Sequence, residues 1–231
     1  MSTLSVVGTP IGNLEDVTLR ALKVLASADL ILCEDTRMTK RLLSRHGISL
    51  PTLSYHSHSK VSRVDDIIAM LRAGKNIALV SDAGTPGISD PGAELVARIR
   101  AELGDMVASG ELKIESVPGP SALTAALSIA GVPMASFVFL GFLPHKKGRE
   151  TLFKEMAGSD RTTVFYESPH RIGKTLLSLE SHLEGLPKKV TVCRELTKIF
   201  EEVVAGTASE VRSYFEAHPD KVRGEFVVIV S

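Results

Sequence analysis

Five segments of the 231-residue chain gather glycine, proline and charged side chains directly after apolar runs of strand length. The first is Gly8-Thr9-Pro10-Ile11-Gly12-Asn13-Leu14. Glycine lets backbone approach a ligand closely, and proline fixes the path of the chain. The spacing is not G-x-G-x-x-G, and a tight strand-to-helix turn accounts for it equally well. The second is Ser81-Asp82-Ala83-Gly84-Thr85-Pro86-Gly87-Ile88-Ser89-Asp90-Pro91-Gly92, which holds more glycine, proline and aspartate than a turn requires. Such a loop can fix backbone N–H and C=O groups toward a ligand, with Asp82 accepting from an amine or hydroxyls and Asp90 capping the next helix. The third, Val117-Pro118-Gly119-Pro120-Ser121-Ala122, leads into a helix whose first N–H groups can be capped by Ser121 or can face a carboxylate. The fourth, Phe165-Tyr166-Glu167-Ser168-Pro169-His170-Arg171, and the fifth, Arg194-Glu195-Leu196-Thr197-Lys198, combine aromatic, acidic and basic side chains, the materials of acid–base and electrostatic catalysis. Taken singly, each charge suits a solvated loop as well.

The elements that must position these loops are legible as alternating strands and helices. Strand candidates, most of them apolar runs, are Leu4–Val7, Leu30–Cys33, Ile77–Val80, Leu112–Val117, Phe137–Leu140, Thr162–Tyr166, Val190–Cys193 and Phe226–Val230. Helical spacing recurs between them, as in Leu19, Leu22, Val24 and Leu25, or Ile67, Ile68 and Leu71. Ser62 to Asp65 and Thr207 to Glu210 read as capping boxes, and Ser168-Pro169 as a helix start. This alternation predicts α/β architecture with a largely parallel sheet, in which ligands bind beyond the carboxyl ends of strands. The break at Pro118-Gly119-Pro120 predicts two α/β domains, residues 1–117 and 118–231.

Bulk properties exclude several classes. The formal net charge is +0, so any nucleic acid must be bound through local patches. Such patches are Arg37, Lys40, Arg41 and Arg45; Lys60 and Arg63; and His145, Lys146, Lys147 and Arg149. Cys33 and Cys193 sit in apolar runs and read as buried free thiols, without the number or spacing for a disulfide framework or a zinc site. No metal is expected; a polar histidine pair such as His56 and His58 rarely makes one. From Ser121 to Pro144 there is no charged residue, but Gly131, Pro133 and Pro144 interrupt the run, which predicts helix, turn and buried strand rather than a membrane span. No signal peptide is apparent, and the expected location is the cytoplasm. Ser168 to Thr175 approaches the phosphate-binding G-x-x-x-x-G-K-[ST], yet serine replaces its first glycine, and Pro169 and His170 crowd the loop. An NTP-binding protein using Lys174-Thr175 is the different-class alternative; a non-catalytic ribosome-binding protein is another.

Together, Val7 to Leu14, Cys33-Glu34-Asp35-Thr36-Arg37, Ser81 to Gly92 and Phe165 to Arg171 resemble the tetrapyrrole-methylase-like S-adenosylmethionine-dependent methyltransferases. Within them they resemble the branch that methylates the 2′-hydroxyl of a cytidine in small-subunit (16S) ribosomal RNA. The resemblance implies two α/β domains with a cofactor cleft between them, a homodimer, and the small ribosomal subunit as partner. It carries Pro10, Gly84, Thr85, Pro86, Ile88, Ser121 and Ala122 over as cofactor contacts; Asp82 joins them as a cofactor contact on the chemistry of its loop alone. It also implies that Tyr166 and Leu196 cover the adenosine. Gly84-Thr85-Pro86 stands where tetrapyrrole methylases carry Gly-Asp-Pro, which disfavours a porphyrin-like small molecule, the nearest alternative substrate. A ribose hydroxyl needs a base or a cation near the developing alkoxide; Asp35, Glu167, Glu195 and Lys198 are candidates. Lys198 with Glu195 is the favoured catalytic pair, against a simple surface ion pair, and Arg37 and Arg171 are the expected substrate contacts.

Overall fold

The computed structural model describes residues 1–56, 61–132 and 134–231, so His58 and Lys60 lie outside the described residues. Two compact units form, Met1–Ser121 and Ala122–Ser231. Among the described residues, no helix is long and apolar enough to cross a membrane.

The first unit contains β1 (Ser2–Val7), α1 (Leu19–Ser27), β2 (Leu30–Cys33), α2 (Thr36–Arg45), β3 (Thr52–Ser54), α3 (Val61–Arg72), β4 (Ile77–Leu79), α4 (Gly92–Glu102), α5 (Gly104–Ser109) and β5 (Leu112–Val117). Its sheet runs β3-β2-β4-β1-β5 with every described pairing parallel. Apolar runs without alternation make sense because both faces are covered. Leu4 and Leu32 pack on one side against Ile67 and Leu71 of α3 and Leu95 and Ile99 of α4. Val7 and Ile31 pack on the other against Ala21 and Leu25 of α1 and Leu43 of α2. The chain runs outward from β1 to β2 and β3, returns through β4, and crosses to β5 on the far side of β1. That reversal puts the loops after β4, β1 and β5 side by side at a topological switch point.

The second unit contains α6 (Ala122–Ile129), β6 (Phe137–Phe142), α7 (Arg149–Gly158), β7 (Thr162–Glu167), α8 (Ile172–Leu183), β8 (Val190–Arg194), β9 (Glu202–Gly206), α9 (Ala208–Ala217) and β10 (Phe226–Val230). Its sheet runs β6-β7-β10-β8-β9. Only β6 and β7 pair in parallel; the other pairings are antiparallel. The expected largely parallel sheet therefore holds for the first unit alone. The reason is connection length: residues 195–201 between β8 and β9 are too few for a parallel crossover, which needs a dozen or more. One core packs Phe153, Leu176, Leu179 and Phe215 of α7, α8 and α9 against Phe165, Val192, Phe226 and Val228 of the sheet.

Local signals fared unevenly. Thr207 and Glu210 form the reciprocal capping box at the start of α9. Ser168-Pro169 does not open α8; it forms a turn whose Ser168 carbonyl accepts from the N–H groups of Arg171 and Ile172, and the helix starts at Ile172. Ser62 lies inside α3, which starts one residue earlier. The strand expected to be buried after Gly131, β6, is exposed at both ends.

Candidate functional site

In the first unit, the loops after β1, β4 and β5 are tied together by backbone. Thr9 and Gly84 exchange two hydrogen bonds, N–H of Thr9 to the Gly84 carbonyl at 2.8 Å and N–H of Gly84 to the Thr9 carbonyl at 3.0 Å. The Thr85 hydroxyl donates to the Pro120 carbonyl at 3.1 Å, joining the second loop to the third. Gly8 and Gly119 meet directly, and a Cβ on Gly8 would lie 2.8 Å from the Gly119 Cα. Gly84 adopts φ +82°, where a Cβ would also press to 3.3 Å from Ile11 Cγ2. Asp90 is the clamp of the long loop: its Oδ1 accepts from the N–H groups of Gly87 and Gly92, both at 2.7 Å. Pro10, Gly84 and Pro86 are buried, whereas Asp82 and Ile88 are exposed. A pre-formed backbone cradle results, with the exposed carboxylate of Asp82 and the exposed apolar side chain of Ile88 on its rim.

The end of β2 joins this cluster. Asp82 Oδ1 accepts from the N–H of Asp35 at 2.7 Å, and Asp35 in turn caps α2 by accepting from the N–H of Arg37 at 2.8 Å. The Arg37 side chain returns to the same carboxylate at 2.6 Å. Arg37 holds the Asp35 carboxyl down at about 2. Glu34 moves the other way: burial, then the charges of Asp82 and Asp90, push its carboxyl up.

In the second unit, Glu167 and Arg194 both face Phe226 in register across β10, so the loops after β7 and β8 leave the same end of the sheet, roughly 10 Å apart. Glu167 has 0% side-chain exposure and collects Arg171 at 3.0 Å, Arg149 at 3.3 Å, the Thr175 hydroxyl at 2.6 Å and the Ser168 N–H at 2.9 Å. A buried carboxylate so saturated is a structural anchor with no room to serve as a base. Arg171 also donates to the Leu143 carbonyl at 2.6 Å, so its fork is engaged within the second unit. Arg149, expected within a basic patch, likewise bonds Glu167, Thr175 and the Pro144 carbonyl. Thr175 has 0% exposure inside α8, which removes the hydroxyl that a phosphate-binding loop would offer magnesium.

Lys198 and Glu195 pair at 2.8 Å, and both remain partly accessible. They occupy a tight turn in which Glu195 (φ 49°) and Thr197 (φ 65°) adopt left-handed backbone, costly for residues with a Cβ. The turn is braced: Thr197 N–H donates to the Glu201 carboxylate at 2.6 Å, and Arg194 donates to the Phe200 carbonyl at 3.1 Å. Gly224 backs the pair so closely that a Cβ there would fall 1.7 Å from Glu195 Oε1. Leu196 is buried in this turn, and Tyr166 packs edge-on against Phe139 with ring centroids 5.0 Å apart.

Pro10, Asp82, Gly84, Thr85, Pro86, Ile88 and Ser121 thus belong to one cluster of loops in the first unit. Tyr166, Arg171, Glu195, Leu196 and Lys198 lie at one end of the second sheet, and Ala122 begins α6. Sequence reading placed Asp90 as the cap of the next helix, but Pro91 holds that position and Asp90 braces its own loop instead; the close approaches at Gly8, Gly119 and Gly224 were missed. Nothing in one sequence reports that two glycines 111 positions apart touch. Among the described residues, no group of three or more His, Cys, Asp or Glu side chains could hold a metal ion.

Residues 3–212 match the family described as Tetrapyrrole (Corrin/Porphyrin) Methylases. The chain belongs to the tetrapyrrole methylase family. The match runs from β1 into α9, so both α/β domains share in it. Among curated proteins, the chain is 43% identical over 231 residues to Ribosomal RNA small subunit methyltransferase I of Thermotoga maritima, covering 100% of this chain and 99% of that protein. It is 46% identical over 234 residues to the protein of the same name from Synechocystis, covering 100% of this chain and 79% of that one. The tetrapyrrole methylase fold is also that of uroporphyrin-III C-methyltransferase from Thermus thermophilus, solved with S-adenosylhomocysteine, with a TM-score of 0.66 at 17% identity, over 100% of this chain and 97% of that one.

Proposed function

We propose that this protein transfers the methyl group of S-adenosylmethionine to the 2′-hydroxyl of a cytidine in 16S ribosomal RNA, acting in the cytoplasm on the small ribosomal subunit. The observation that carries the reading is the end-to-end match to the Thermotoga maritima protein, whose name states methyl transfer to small-subunit ribosomal RNA. The geometry supports it against the alternatives. A porphyrin-like substrate would need arginines for its ring carboxylates, and around the loops of the second unit Arg149, Arg171 and Arg194 are already engaged by Glu167, Glu202 and backbone carbonyls. Nucleotide binding through Lys174-Thr175 would need a loop hydroxyl, and Thr175 is buried in a helix bonded to Glu167.

The loops of the first unit fit the cofactor chemically. Their positive-φ Gly84 and the clamped backbone of Gly87 and Gly92 leave fixed polar groups, Asp82 offers a carboxylate for an amine or ribose, and Ile88 offers apolar surface for a base. S-adenosylmethionine supplies a methyl group activated by a sulfonium centre. Pro10, Thr85, Pro86 and Ser121 shape this cradle, with Ala122, Tyr166 and Leu196 as further contacts inferred from the family resemblance.

The chain's own contribution to chemistry is assigned to Lys198 and Glu195. The Lys198 ammonium stabilises negative charge developing on the ribose oxygen, and the Glu195 carboxylate both holds Lys198 and takes the hydroxyl proton. Left-handed backbone at Glu195 and Thr197 supports the role, since strain is kept where the surrounding structure demands it. Arg37 is assigned to a substrate phosphate. Replacing Lys198 with Ala tests the reading: methyl transfer is expected to fall by about 100-fold or more, with cofactor binding retained. Unchanged turnover would remove Lys198 from the mechanism. A homodimer is proposed as the working form, to be checked by light scattering.

A further inference from the structure

Helix α2 (Thr36–Arg45) reads Thr-Arg-Met-Thr-Lys-Arg-Leu-Leu-Ser-Arg and contains four cations and no acid, within a chain whose formal net charge is +0. Its buried face is Thr39, Leu42 and Leu43, which dock on the first sheet. Arg37, Lys40, Arg41 and Arg45 are all exposed. Positions three, four and eight residues from Arg37 put them on one broad face opposite the buried one, about 12 Å long at 1.5 Å per residue.

Three further observations give this face direction and purpose. Among the described residues, the only ion pair recorded for the four is that of Arg37 with Asp35. Lys40, Arg41 and Arg45 therefore present charge that no acidic side chain among the described residues pairs with. The helix is also fixed to the loop cluster: Asp82 accepts from the Asp35 N–H, and Asp35 caps the helix. The cationic face thus starts at the rim of the cradle assigned to the cofactor and leads away from it. Finally, guanidinium groups bond phosphate oxygens in a bidentate manner, and three of the four cations are arginine.

We infer that the exposed face of α2 is a phosphate-backbone docking surface for the RNA substrate, setting the strand's path into the site, an inference that rests on the RNA reading of the function. Lys40, Arg41 and Arg45 carry affinity without touching the reacting atoms. Each phosphate they contact releases bound counterions, so salt dependence is the signature. Contact with RNA phosphate, rather than with an acidic protein, predicts a linear fall of log affinity with log salt.

The test compares two triple variants of the full chain. The first is Lys40→Gln/Arg41→Gln/Arg45→Gln. The second, Lys23→Gln/Arg72→Gln/Arg100→Gln, makes the same change in net charge at exposed positions elsewhere. Glutamine keeps helix propensity, and thermal unfolding checks that both fold. The probe is purified, undermethylated small ribosomal subunits, measured by filter binding between 50 and 200 mM salt and by methyl transfer. The α2 variant should bind at least about 10-fold more weakly at 0.15 M salt, with the salt slope lower by roughly 2 to 3, at ~0.7–0.9 per lost phosphate contact. KM should rise while kcat stays near that of the parent. The control should shift both by less than about twofold. An unchanged slope in the α2 variant, or an equal loss in the control, would overturn the inference. Absence of methyl transfer by the parent protein would instead defeat the reading of the function, while subunit binding would still score the helix.

Discussion

Gly224 gives the sharpest handle on the Glu195–Lys198 pair, because a single methyl group there must displace it. A Cβ on Gly224 would lie 1.7 Å from Glu195 Oε1 and 2.6 Å from its Cδ, far inside van der Waals contact. Gly224→Ala therefore pushes the carboxylate away and breaks its 2.8 Å bond to Lys198. The residue also sits at φ +71°, so alanine adds backbone strain of about 1–2 kcal/mol. Gly185→Ala separates the two effects, since Gly185 has φ +73° in the same unit with nothing within 4 Å. Both variants should lose stability through this backbone strain, a shift of about 2–8 °C in Tm. Only Gly224→Ala should lose catalysis, with kcat down about 100-fold, at the lower end of what general acid–base groups contribute. The assay is transfer of labelled methyl from S-adenosylmethionine to undermethylated small subunits, with KM for the cofactor measured in parallel. Wild-type kcat in Gly224→Ala would refute the assignment, whatever its effect on Tm.

Other consequences are open to simple measurements. Asp90→Ala removes the acceptor for the Gly87 and Gly92 N–H groups and should weaken cofactor binding about tenfold by calorimetry, with Asp90→Asn partly restoring it; unchanged affinity would mean the loop needs no clamp. Glu167→Gln leaves Arg149 and Arg171 without their buried counter-charge and should cost about 3–5 kcal/mol in denaturant unfolding, whereas a loss below about 1 kcal/mol would contradict its anchoring role. Burial, with the charge of Glu201, pushes the Cys193 thiol up to about 11, and burial also raises Cys33. At pH 8 about one Cys193 in a thousand is thiolate, so neither cysteine should react with a thiol reagent until the protein is denatured.

Sequence patterning exposed the fold wherever a strand was long and buried. Leu30–Cys33 and Phe226–Val230 were legible to the residue because the apolar run is the strand. The edge strands β3 and β9 were not: Thr52–Ser54 has three residues, all half-buried, and Glu202–Gly206 alternates half-buried and exposed residues. Antiparallel pairing in the second sheet was hidden for a different reason. Direction is set by connections, and the brevity of residues 195–201 signals a hairpin only once β9 is known to exist. At the site, the glycine-rich loops were legible because glycine and proline restrict backbone locally. The fates of the charged residues were not. Arg171 and Glu167 look like active-site chemistry in the sequence, yet they form an internal network with Arg149 and Thr175 through contacts as distant as 26 positions.

The central claim is the transfer of methyl from S-adenosylmethionine to a ribose hydroxyl of small-subunit ribosomal RNA. Its most direct test incubates the protein with labelled S-adenosylmethionine and undermethylated small subunits, then maps the product by nuclease digestion and mass spectrometry. The account predicts label on the ribose of a cytidine and loss of that label in Lys198→Ala. Label on a base, or on no nucleotide although the cofactor binds, would contradict it.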